Sequence, residues 1–261
     1  MDKNLNEASM HNSNDVISLL TNHRSIRKFT DEAVSSEQLA TIIEAAQMAS
    51  TSSNVQAYSI INVTDPQLRH QVMELSGNQT YVEAAPTFLV WCADLQRLAK
   101  VSQKDSGNVE EQSYIDTMEN LLVATIDTAL AAQNAAIAAE SLQLGIVYIG
   151  GVRNNSEALS QLLQLPDLVF PLFGMCIGKP AQQPILRPRL PKEAILFENK
   201  YCAEQMDDSL LQYDQAISAY MNKRSDGKVD TNWSEQMKKR LQAPVRLHMK
   251  SFLERRGFMK R

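Results

Sequence analysis

The chain has 261 residues and a formal net charge of −4, with 44% hydrophobic and 21% charged residues. That is long enough to bury a proper core in one large domain or two small ones, and the balance is that of an ordinary soluble globular protein. Three cysteines, Cys92, Cys176 and Cys202, are odd in number and far apart, which argues against a disulfide framework or a zinc site and fits free thiols in a reducing compartment.

The first fifteen residues, MDKNLNEASMHNSND, are polar and hold no apolar run of a secretory signal, so a cytoplasmic protein is expected. The segment HRSIR (23–27) then sets His23, Arg24, Ser25 and Arg27 where the chain turns after a short helix-like run. It reads either as a solvated helix end or as an anion site, because two guanidinium groups can fork onto one phosphate. Ser35 to Gln38 reads as a capping box, with Leu39, Ile42, Ile43 and Ala46 at helical spacing behind it. The stretch ASTSSNVQ (49–56) follows that helix with hydroxyls and amides. It is either a plain terminating loop or a polar binding loop.

Four strand-like runs stand at 58–65, 87–94, 145–151 and 170–178, short, β-branched or aromatic, and bounded by Asp, Gly or Pro. Between the first two, GNQTYV (77–82) supplies Gln79. Between the second and third, Leu121 to Leu144 is alanine-rich and apolar on nearly every side. It is expected to be a central helix capped at Gly145, and its alanines suit a subunit interface. Asp127, Gln133, Asn134 and Glu140 interrupt it, which makes it a poor membrane span. The third strand ends in YIGG (148–151), either a simple turn or a place where a flat ring reaches the backbone. Helices separating the strands predict a mixed sheet covered on both faces.

Past residue 178 the chain changes character. Pro180, Pro184, Pro188 and Pro191 forbid a helix and predict an extended strap that carries Arg187 and Arg189. Helices are expected near 209–222, 232–241 and 245–256. Met221 to Arg261 holds twelve Lys or Arg against four Asp or Glu, a net +8 on an otherwise acidic body. Such a tail suits an anionic cofactor or an acidic neighbouring subunit. Nucleic acid is the weakest choice, because no recognised binding motif accompanies the charge.

No G-x-G-x-x-G, Walker loop, G-x-S-x-G or H-E-x-x-H occurs, and His11, His23, His70 and His248 stand in no metal-ligand spacing. If the chain is an enzyme, a bound cofactor carries the chemistry, and no metal is expected.

Taken singly these pieces are weak; their order and spacing are specific. HRSIRKFTDE (23–32), ASTSSNVQAYSII (49–61), CADLQR (92–97), DTALAAQNAAIAAESLQLGIVYIGGVRNN (127–155), PLFGMCIGKPA (171–181), RPRLPKEAILFEN (187–199) and NWSEQM (232–237) together resemble the nitroreductase superfamily, within it the flavin reductase P and nitroreductase A group. The resemblance runs from about Val16 to the C-terminus. It implies an α+β nitroreductase fold, with a mixed, mainly antiparallel sheet flanked by helices. It also implies an intertwined homodimer with an extended C-terminal strap and helices. Residues 1–180 would form the FMN-binding core, and 181–261 the strap and basic helical excursion of the same folding unit.

The resemblance also implies a tightly bound, non-covalent FMN at the dimer interface and NADPH as co-substrate. His23, Arg24, Ser25 and Arg27 would meet the phosphate and ribityl chain, with Arg187 and Arg189 closing the phosphate site. Thr51 and Ser53 would reach the flavin across the interface. Gln79, Thr80 and Tyr81 would lie near the isoalloxazine, and Tyr148, Ile149, Gly150 and Gly151 along the ring edge. Arg224 and Lys228, in NKRSDGKVD (222–230), would hold the 2′-phosphate of NADPH. The bland reading of that stretch is a solvated helix–helix loop.

No protein side chain is expected to be catalytic. Hydride would pass from NADPH to the flavin N5 and two electrons on to a nitroaromatic, quinone, free flavin or azo compound, in ping-pong order. Some relatives carry His at the position of Tyr81 and Lys at that of Arg187, differences that bear on substrate preference. The alternative is an FMN-binding, non-catalytic or partner-docking protein of the same fold. Neither nucleic acid nor a membrane is expected as a partner.

Overall fold

The computed structural model describes residues 14–104, 113–204 and 206–261. The chain forms two compact units, residues 14–183 with 248–261, and residues 184–247. The last helical segment, residues 248–261, thus belongs with the first unit.

In the first unit the helices are α1 (Asp15–Thr21), α2 (Ser36–Gln47), α3 (Pro66–Leu75), α4 (Tyr81–Ala84), α5 (Gln96–Lys104), α6 (Met118–Ser141) and α7 (Ser156–Leu162). The strands are β1 (Tyr58–Asn62), β2 (Thr87–Asp94), β3 (Gly145–Ile149) and β4 (Val169–Gly178), in the spatial order β1-β2-β4-β3. All three pairings are antiparallel. The parallel character expected of the sheet is confined to one bridge, Ser25 to Ile146 on the outer edge of β3. A register shift between Trp91 and Cys92 marks a bulge opposite Leu172. Pro171 lies beyond the end of β3, where its missing N–H costs no ladder bond.

Alternation along β2 assigns its two faces. Phe88, Val90 and Cys92 point into a core with Val72, Met73 and Leu159 of α3 and α7. Leu89 and Trp91 point into a second core with Ile42 and Ala46 of α2 and five alanines of α6. Every residue of β2 is buried, as expected of a strand covered on both sides. At one end of the sheet Phe170 meets Phe252 and Phe258 of the C-terminal segment edge to face, beside α10 (Met249–Arg255). The capping box predicted at Ser35 is formed in both directions, from Gln38 N–H to Ser35 Oγ at 3.1 Å and from Ser35 N–H to Gln38 Oε1 at 3.0 Å.

Helix α6 is central, but Gly145 does not cap it. The chain turns at Gln143 in the left-handed region (φ 61°), with Leu144 N–H on Ala139 O at 3.0 Å and Gln143 N–H on Glu140 O at 3.0 Å. That is a Schellman turn built without glycine. Gly145 answers a different need: a Cβ there would stand 2.5 Å from Ile26 Cγ1. The absent side chain lets the 23–27 segment lie against β3. By length and composition α6 could cross a membrane, yet nine of its residues are buried in this unit.

The second unit holds α8 (Met206–Arg224) and α9 (Trp233–Leu241) with the proline-rich strap. The strap is tied to α8 by Tyr213 Oη–H donating to Pro188 O at 3.1 Å and by Arg187 over the Tyr220 ring at 6.0 Å. A second capping box, Asn232 with Glu235, starts α9.

Candidate functional site

The 23–27 segment is anchored to the sheet edge by Ile26 N–H donating to Ile146 O at 2.8 Å, with the Ile26 side chain buried. This fixes the residues on either side of Ile26. Arg24 Nη1 donates to Asn22 O at 2.8 Å, while its Nε is buried without a partner among the described residues. Arg27 is exposed and makes no hydrogen bond or ion pair among the described residues. His23 Nδ1 sits 2.6 Å from Glu140 Oε1. The Glu140 carboxyl group thus fixes the orientation of the imidazole ring.

Following β3 upward from this segment leads to Tyr148, Ile149, Gly150 and Gly151. Tyr148 stacks edge to face on Phe173 (5.3 Å), its hydroxyl is 3.4 Å from Gln133 Oε1, and burial pushes its pKa up, with the Glu140 charge adding to that. Gly151 begins the contact with a third segment. A Cβ on it would stand 2.2 Å from Ser76 O and 2.4 Å from Gln79 Nε2. Gln79 in turn donates to Ser76 O at 2.8 Å and accepts from the Tyr81 hydroxyl. Thr80, beside them, is exposed. Glycine at 151 is thus required by this close approach. Gly151→Ala is expected to cost about 1–3 kcal/mol through overpacking, read as a Tm lowered by several degrees. An unchanged Tm would mean the 76–79 turn yields freely.

The structure therefore brings 23–27, 79–81 and 148–151 together through β3. The fourth expected segment hangs elsewhere. The turn at 51–57 has Ser53, Asn54 and Gln56 at φ 47°, 57° and 53°, each left-handed non-glycine residue costing about 1–3 kcal/mol unless held. Asp127 of α6 holds it: Ser52 N–H donates to Oδ1 and Ala57 N–H to Oδ2, both at 3.0 Å. From α5, Arg97 donates to Gln56 O at 2.8 Å and also to Tyr58 O. Among the described residues no hydrogen bond links Thr51 or Ser53 to the other three segments. Arg187, Arg189, Arg224 and Lys228 are all exposed and belong to the second unit. Arg224 ends α8, and Lys228 follows in a turn closed by Val229 N–H on Ser225 Oγ at 2.8 Å.

Asp127, Gln133, Asn134 and Glu140 went unrecognised as site residues from the sequence. Each bonds a separate piece: the 51–57 turn, Tyr148, Ala45 O (3.2 Å, from Asn134 Nδ2) and His23. The signal available was their polarity inside an apolar helix, since buried polar groups are bonded to something. The thiols of Cys92 and Cys176 are not nucleophiles here. Burial pushes Cys176 up to about 12, against a small opposing pull from Arg69, and drives Cys92 upward still further. Among the described residues no three His, Cys, Asp or Glu side chains gather as a metal site.

The chain is thus an α+β protein whose antiparallel sheet carries an arginine-bearing segment on its edge strand β3, which runs into a glycine turn. The family models for "Nitroreductase family" and "Nitroreductase family, C-terminal domain" match residues 20–179 and 187–261. The chain is 43% identical over 249 residues to an FMN reductase (NADPH) of Bacillus subtilis, covering 95% of this chain and 99% of that one. It is 43% identical over 241 residues to a Cr(VI) reductase of a Pseudomonas strain, covering 92% and 97%. A solved nitroreductase structure from Bacillus subtilis superposes with a TM-score of 0.90 at 42% identity, covering 95% of this chain and 100% of that one. The chain belongs to the nitroreductase family.

Proposed function

We propose that this protein is an FMN-dependent NADPH oxidoreductase that reduces nitroaromatics, quinones or free flavin and works as a homodimer. The observation that carries the proposal is the Arg24 guanidinium, whose buried Nε has no partner among the described residues. A buried charged donor calls for an anion, and a phosphate monoester supplies one. The residues fit FMN on this count and on a second: the 23–27 segment runs along the strand that leads to the Gly150–Gly151 turn, so a ligand with a charged end and a flat end has donors for both.

In this reading Arg24 and Arg27 take the phosphate, with Ser25 beside them. His23, oriented by Glu140, serves the same region. Gln79, Thr80 and Tyr81 bind polar edges of the ring system, and the amides of Gly150 and Gly151 favour negative charge there. Thr51 and Ser53 serve the site of the partner subunit. When bound, FMN supplies the two-electron chemistry, accepting hydride from NADPH and passing the electrons to an acceptor. The protein's part is position and electrostatics, consistent with its suppressed thiols.

The dimer rests on α6. Met118, Leu122, Ile126 and Leu130 recur every fourth residue and stay exposed, Ile126 by 54%, a continuous apolar stripe on a helix whose other sides are packed. A cytoplasmic location accords with this reading.

The direct test is the absorbance spectrum of the purified protein, followed by anaerobic NADPH. Flavin bands that bleach with NADPH and return with a quinone support the proposal. A colourless protein that takes up no added FMN overturns it. Arg224→Ala is expected to raise KM for NADPH about tenfold or more while leaving NADH within twofold, because only NADPH carries the 2′-phosphate that a charge-assisted bond of about 1.5–3 kcal/mol would read. Equal effects on both nucleotides would release Arg224 from that role.

A further inference from the structure

We infer that Asp127 is a positioning residue for the cofactor loop, its buried carboxylate fixing the 51–57 turn in the one shape that presents Thr51 and Ser53 to bound FMN. The inference rests on the FMN reading of the site. Three features of the molecule support it.

The first is the carboxylate's setting. Asp127 is 0% exposed in the middle of an alanine-rich helix and makes no ion pair among the described residues. Both of its oxygens are used on backbone amides, one at the entry of the turn and one at the exit. A buried charge of this kind is costly to keep for packing alone. The second feature is stereochemical. An asparagine would set its NH2 group, a donor, against one of the two amides, whereas a carboxylate receives one on each oxygen. The pair Ser52 N–H and Ala57 N–H therefore calls for an acid at this position.

The third feature is what the acid restrains. Ser53, Asn54 and Gln56 are all left-handed, and no glycine lies between Ala49 and Ala57 to ease the turn. Such a conformation persists only where its surroundings over-determine it. Arg97 completes the restraint from the carbonyl side at Gln56 and Tyr58. The turn is thus gripped by an acid through its N–H groups and by a base through its C=O groups; Ser53 between them is exposed, and the half-buried Thr51 takes Gln56 N–H on its Oγ1 at 3.4 Å, which ties it into the same turn.

The test uses the full-length holoprotein and three variants. In Asp127→Asn, hydrogen–deuterium exchange of the peptide spanning 51–57 is expected to quicken at least tenfold while β2 stays protected. The dissociation constant for FMN is expected to rise at least tenfold. Asp127→Glu keeps both oxygens and is expected to recover part of the FMN affinity, and it carries the test if Asp127→Asn does not fold. Leu159→Ala, a cavity variant in the core on the opposite face of the sheet, lowers Tm and is expected to leave FMN affinity within twofold.

Unchanged FMN affinity in Asp127→Asn, with or without faster exchange, overturns the inference. So does an equal loss of affinity in Leu159→Ala at matched Tm. A parent protein that binds no FMN would instead remove the functional reading, and the exchange data would still report on the clamp itself.

Discussion

Arg24→Ala is expected to raise the dissociation constant for FMN by roughly ten- to a hundredfold, the equivalent of the ~1.5–3 kcal/mol carried by a hydrogen bond to a charged group. Arg24 is half-buried, and its Nε finds no acceptor among the described residues, so the phosphate would meet a donor already stripped of water. Arg27→Ala should weaken binding less, since Arg27 is exposed and its bond competes with solvent. The measurement is flavin content after gel filtration, then titration of the apoprotein by flavin fluorescence. Flavin retained at parental level in both variants would remove the phosphate assignment from the HRSIR segment. Because the backbone there is held by Ile26 and not by the arginine heads, neither change should unfold the edge of the sheet.

If the exposed α6 stripe is the seam of the proposed homodimer, Ile126→Asp is expected to leave the protein monomeric and to strip its FMN together. Ile126 lies mid-stripe on α6 between Leu122 and Leu130, so a two-fold interface would bury it in both copies and place two unpaired carboxylates in an apolar seam. Removing a partner from a buried charge costs about 3–5 kcal/mol, enough to shift a dimer constant by more than a hundredfold at each copy. Sedimentation velocity reads the assembly and the visible spectrum reads the flavin. A variant that remains dimeric would move the interface away from this face. A monomer that keeps FMN tightly would mean that one chain completes the site alone.

The fold was legible where signals are local. The Ser35 capping box, the apolar run Phe88 to Ala93 of β2 and the long α6 all announce themselves within a few residues. The misread details were those decided by distant neighbours. Gly145 follows a helix and so looks like its cap, yet Ile26 is what forbids a side chain there, and Gln143 takes the left-handed turn instead. The site divides the same way. Arg24, Arg27 and the paired glycines carry their chemistry in their type. Glu140 lies 117 positions from His23, and Asp127 lies 75 from Ser52. No periodicity links them. The four polar residues that marked α6 as unfit for a membrane each hydrogen-bond a separate piece of the first unit.

The antiparallel order β1-β2-β4-β3 and the return of residues 248–261 to the first unit also bear on how the molecule is made. Thr87 must find Ile177, and Phe170 packs edge to face on Phe252 and Phe258, which lie 82 and 88 residues further along the chain. A nascent chain would carry the apolar middle of β2 without its central neighbour until residues 169–178 are made. Closure of the sheet therefore depends on long-range pairing, which slows folding, and β2 is the segment a chaperone would guard until β4 pairs with it.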